Sequence, residues 1–140
     1  MPIPSHIDEM KTNGHRLINE FINNAKMDVA DELFSPNFVN HSPEQGVTAD
    51  LEGLKQYISM MHAAFSDFSA TIEDMIAEND KVVVRMRVRG VHTGDFMGIS
   101  PTKKEIDTTT ISIVRIDNGK IVERWNVTDR LKILRQLGIL

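Results

Sequence analysis

Cysteine is absent from this chain, which excludes a disulfide, a thiolate nucleophile and a cysteine-ligated zinc, and makes the fold independent of redox compartment. Long apolar runs are also missing, and none approaches the ~20 residues of a membrane-spanning helix. Basic excess is missing too: 16 Lys and Arg against 20 Asp and Glu leave a formal charge of −4, which argues against broad affinity for nucleic acid. No glycine-rich phosphate loop occurs in its strand-turn-helix setting, so nucleotide chemistry is not suggested. The five histidines share no short ligand spacing, which gives a metal site little support. No basic segment followed by an apolar stretch opens the chain, so the expectation is a cytoplasmic protein without a signal peptide.

What is present fits one domain over residues 1–140, with 41% hydrophobic and 26% charged residues and no linker or repeat. The N-terminal half is helical. Ile7, Met10, Leu17, Ile18, Phe21, Ile22 and Ala25 recur at helical spacing behind a Ser5 cap. Asp28 to Phe34 predicts a second helix, stopped by Ser35-Pro36. Leu51 to Phe65 predicts a third, capped by Thr48 or Asp50, with a loop from Phe38 to Pro43 between them.

From Phe68 onward the period becomes two. Val82, Val84, Met86 and Val88 alternate in one predicted strand, and Ile72 and Ile76 in its partner. A loop of Asn79 to Lys81 is preferred because it sets Ile76 opposite Val84 and Glu73 opposite Arg87. Arg85, Arg87 and Arg89 then share a solvated or subunit-contacting face. A second hairpin, Ile106–Ile116 with Lys120–Thr128, turns at Asn118-Gly119, where both residues tolerate positive φ. Helices followed by a four-stranded antiparallel meander and a short closing helix over Asp129–Leu137 predict an α+β fold. In it a curved antiparallel sheet packs on the N-terminal helices as a cone with an open mouth.

The last hairpin supplies candidate ligand residues. Pairing Asp117 with Lys120 places Glu123, Trp125 and Asp129 on one face with Val114, Ser112 and Thr108, although a single β-bulge would exchange the faces beyond it. Glu123, if buried, would be a general acid of raised pKa; exposed, it would pair with Arg124. Trp125 would stack on a flat ligand or fill the core. Asp129 would serve as an acid or cap the last helix. His92 ends the apolar face of its strand and would act as base, donor or core residue, while His41 sits on a loop able to overhang the mouth. Pro101 to Lys104, after Gly90, Gly94 and Gly98, forms a lid or an ordinary loop.

Four motifs occur in order: Phe38-Val39-Asn40-His41; His92-x-Gly94-x-Phe96-x-Gly98-x-x-Pro101-Thr102; Asn118-Gly119-Lys120-Ile121-Val122-Glu123-x-Trp125; and Arg135-Gln136-Leu137-Gly138. Together they resemble the SnoaL-like polyketide cyclases, within the nuclear transport factor 2-like and ketosteroid isomerase-like superfamily. The resemblance implies the same cone, a homodimer through the sheet, and a cofactor-independent intramolecular aldol closure of a polyketide ester by an aspartate acting as general acid and base. By position that aspartate corresponds to Asn126, and the histidine accompanying it to Ser112. An amide cannot exchange a proton near pH 7. Asn40 and His92 correspond to cavity residues.

Two readings of different class follow. In one, the protein is a proton-transfer catalyst in which His92, Asp129 or Glu123 replaces the aspartate and Asn126 donates to a developing enolate. In the other it is a non-catalytic dimeric module, with Asn40 and Asn126 holding ligand carbonyls and Trp125 covering an apolar body. A third reading, a dimeric interaction scaffold, needs no polar cavity.

Overall fold

The computed structural model describes residues 5–140. Ser5 begins the first helix, α1 (His6–Arg16), its hydroxyl accepting from the Asp8 N–H at 3.1 Å. The helix widens into a π-helical stretch over Leu17–Ile22. Met10, Leu17, Ile18, Phe21 and Ile22 are buried, as their spacing requires. At its end Asn23 acts as a one-residue strand: its amide donates to the Ala70 carbonyl at 2.8 Å and accepts the Ala70 N–H at 2.6 Å. That contact ties the helix to the sheet.

Helix α2 (Met27–Leu33) stops one residue before Phe34, and the chain then extends as β1 (Phe34–Asn40). The sequence reading placed a loop here and expected four antiparallel strands. The sheet instead has five strands in the order β1-β5-β4-β3-β2, with β1 parallel to β5, so it is mixed. The segment holds Pro36, which has no N–H for a ladder, and only an edge strand accommodates it. Phe34 and Phe38 point inward and meet edge to face with centroids 4.7 Å apart. Asp50 caps α3 (Leu51–Ala64), accepting from the Gly53 N–H at 2.9 Å.

Strands β2 (Phe65–Glu78) and β3 (Lys81–His92) meet through a two-residue turn at Asn79-Asp80, not the longer loop preferred from the sequence. Ile76 therefore faces Val83 on the outer side and is 62% exposed. Glu73 is an extra residue in the ladder, and this bulge returns Ile72 to the inner side opposite Met86. Asp74 rather than Glu73 pairs with an arginine, Arg85, at 2.5 Å. Arg87 reaches Asp107 on β4 (Glu105–Asp117) in the same way, so these basic residues lie on the outer face.

Asn118 and Gly119, at φ of 54° and 77°, make the expected tight turn into β5 (Lys120–Thr128). A second bulge follows at Val122. Ile116 pairs with Ile121, yet Arg115 pairs with Glu123, and from there Arg124, Asn126 and Thr128 point inward while Glu123, Trp125 and Val127 point outward. Asp129 caps α4 (Arg130–Gln136), accepting from the Lys132 N–H at 3.2 Å. Two apolar clusters result. The larger lies between the helices and the sheet; the smaller, with Met61, Phe65, Phe96, Ile106, Ile133 and Leu137, lies beneath α4.

Candidate functional site

A cavity opens along the seam between the two clusters, with about 50 Å³ of internal space open to the centre of a water-sized sphere. Its apolar walls come from Ile58, Met86 and Val88 of the larger cluster and Met61, Phe96 and Ile133 of the smaller. Residues Met97 and Gly98, both at positive φ, form the turn that brings Phe96 into the wall. The segment after it is tied down as well as long: the Lys103 N–H donates to the His92 carbonyl at 2.9 Å, and the His92 N–H to the Lys104 carbonyl at 2.8 Å.

The polar end of the cavity is the inner face of β5 beyond the bulge. Arg124, Asn126 and Thr128 follow one another at a spacing of two, and all three line the space. Ser112 on β4, directly opposite Asn126, donates its hydroxyl hydrogen to the Asn126 side-chain oxygen, which leaves the amide N–H groups as that residue's free end. The Asn126 backbone N–H donates to Ser42 Oγ at 2.9 Å. The Thr110 and Thr128 hydroxyls meet at 2.8 Å. At the rim Arg130 is paired with Glu44.

Arg124 stands out electrostatically. Its residue is 6% exposed, and among the described residues no carboxylate lies within ion-pair distance of its guanidinium. Burial pulls its pKa down to about 10, opposed only by the Tyr57 hydroxyl nearby. Burial also raises the Tyr57 pKa. Among the described residues, no aspartate, glutamate or histidine lines the cavity, and no three such side chains come together to hold a metal ion.

The residues singled out from the sequence fall into three groups. Asn126 and Ser112 meet at the cavity. His41, Glu123 and Trp125 meet on the outer face, where His41 stacks on Trp125 with centroids 4.9 Å apart and lies 3.6 Å from Glu123. The shared inner parity expected for Glu123 and Trp125 is thus overturned by the bulge at Val122. Arg115 holds the Glu123 carboxyl below its ordinary range, with His41 adding to the effect, rather than burial raising it. The third group is structural. Asn40 is buried and closes a turn by accepting from the Ser42 N–H at 3.0 Å. His92 is fully buried outside the cavity lining, its Nδ1 accepting from the Thr102 N–H at 3.1 Å while its Nε2 has no partner among the described residues. Asp129 caps α4, the plainer of its two readings.

Arg124, Tyr57 and Thr128 were not singled out from the sequence. Arg124 carried one usable signal: it shares the parity of Asn126, so a resemblance that sends Asn126 inward sends Arg124 with it.

Comparison with known proteins places these features. The profile of the SnoaL-like polyketide cyclases matches residues 14–137. Nogalonic acid methyl ester cyclase of Streptomyces nogalater is 28% identical over 118 residues, 83% of this chain and 88% of the relative. Aklanonic acid methyl ester cyclase DnrD of Streptomyces peucetius is 27% identical over 129 residues, 88% of this chain and 86% of the relative. Among solved structures, TsrD from Streptomyces laurentii superposes with a TM-score of 0.87 at 25% identity, covering 98% of this chain and 100% of its own. IdmH from Streptomyces antibioticus gives 0.80 at 31%, covering 91% and 97%.

Proposed function

The chain belongs to the SnoaL-like polyketide cyclase family, and on that premise we propose that it binds a small apolar carbonyl compound in the cavity, with Asn126 donating a hydrogen bond to a ligand carbonyl. One observation carries this reading: the cavity has apolar walls and a polar end built on β5, and among the described residues no carboxylate or imidazole lines it. Such a site can orient and polarise a carbonyl, and it has no side chain able to exchange a proton near pH 7. Relatives named as nogalonic and aklanonic acid methyl ester cyclases support a ligand that carries such a carbonyl.

A second reading draws on the donors at the polar end. Arg124 and Asn126 could stabilise an enolate as it forms, so slow cofactor-independent aldol or proton-transfer chemistry would need only solvent as base. In both readings the protein acts as a homodimer joined through the outer face of the sheet, in a cytoplasmic setting. Exposed Val39, Ile111 and Val127 support that surface. His92 and Asp129 then contribute through packing and capping. The test is to titrate nogalonic acid methyl ester into the parent and into Asn126→Asp, following the heat of binding and ring closure together. Binding by both proteins is expected; no binding by either would sink the proposal.

A further inference from the structure

The polar end of the cavity is rich in donors, and among the described residues no carboxylate lines it to balance them. Arg85, Arg87, Arg115 and Arg130 each hold a carboxylate. Arg124, the most buried of the arginines on the sheet, holds none among the described residues. A guanidinium removed from water without an anionic partner is unfavourable, and a carboxylate brought to it offsets part of that cost. Asn126 adds to the imbalance, because Ser112 occupies its side-chain oxygen and the amide N–H groups remain. Arginine presents its donors as a planar fork that matches the two oxygens of a carboxylate. The remaining walls, Ile58, Met61, Phe68, Val88 and Phe96 among them, suit a flat apolar body, and the other cation in the lining, Arg130, is already paired with Glu44.

We propose that the ligand is an acid, an apolar compound carrying one carboxylate that pairs with Arg124 while Asn126 donates to it or to a neighbouring carbonyl. This rests on the ligand-binding reading above and specifies the class of compound. It makes Arg124 a binding residue that neither the motifs nor the family resemblance assigned. A neutral ester of the same shape would fill the apolar walls and leave the guanidinium uncompensated.

The test uses 2-naphthoate and methyl 2-naphthoate, two probes of nearly the same shape that differ in charge, titrated calorimetrically into the parent, Arg124→Met and Arg124→Lys. The parent should bind the acid at least about tenfold more tightly than the ester. Arg124→Met should bind the two equally, and Arg124→Lys should keep part of the preference. Equal affinities in the parent overturn the inference and leave the cavity reading standing. A full acid preference in Arg124→Met also overturns it, since the charge would then act elsewhere. If the parent binds neither probe, the cavity reading fails and this inference fails with it.

Discussion

A buried guanidinium without an anion raises the free energy of the folded chain, and Arg124 is in that position. Its pKa falls to about 10 on folding. Below about pH 10 the group is charged in both the folded and unfolded states, so the cost is fully present at neutral pH; it is relieved only as pH rises from there toward the ordinary arginine value. Arg124→Met, similar in length and apolar, should therefore stabilise the ligand-free protein by about 1–4 kcal/mol. Calorimetric melting of the two proteins at pH 7 measures this. A lower Tm for the variant would mean that Arg124 holds the fold together and has no need of a ligand.

At the scale of elements, the two bulges decide which residues can do chemistry. If Val122 were paired with Arg115 in an unbulged ladder, β5 would continue in register from Asn118-Gly119 and place Glu123 and Trp125 inside and Arg124 and Asn126 outside. Deleting Val122 removes the extra residue and keeps Arg115 opposite Glu123, so Arg124 and Asn126 should stay inside and ligand binding, followed calorimetrically, should persist. Loss of binding by a variant that still folds would show that the bulge residue itself shapes the cavity. The bulge also marks where the sequence stops being legible. The helix spacings, the Ser5 and Asp129 caps and the Asn118-Gly119 turn are local, and each reads directly from neighbouring residues. A bulge is set by what the strand must bury many residues away, so Glu123, Arg124, Trp125 and Asn126 carry no local mark of their face. β1 was hidden for a related reason: it is short, holds Pro36, and forms only because β5 lies beside it. The resemblance to the cyclases singled out Asn126 and Ser112, which the structure sets opposite one another, whereas parity alone sets Ser112 against Trp125 and Asn126 on the reverse face.

For the whole molecule, the outer face of the sheet is the remaining surface of consequence. Val83, Ile113 and Trp125 lie in one cross-strand row and Arg85, Ile111 and Val127 in the next, with Ile111 43% and Val127 73% exposed. Asp107 and Glu123 flank these rows, held below their ordinary values of 3.8 and 4.5 first of all by hydrogen bonds from Arg87 and Arg115. Their contribution to stability is complete above those values and is lost as pH falls through the lower folded ones. Ile111→Asp with Val127→Arg should convert a dimer to a folded monomer by light scattering; an unchanged mass would exclude this face as the contact. The cavity lies on the opposite side of the sheet, so ligand binding and assembly can be tested separately. The central claim is that the chain keeps the cyclase cavity while lacking the acid/base, and ring closure of nogalonic acid methyl ester by the parent and by Asn126→Asp tests it most directly. Binding by both is expected, with a rate at least about 10²-fold higher in the variant, the lower range of what a positioned acid/base supplies. Rapid closure by the parent that Asn126→Asp does not increase would contradict it.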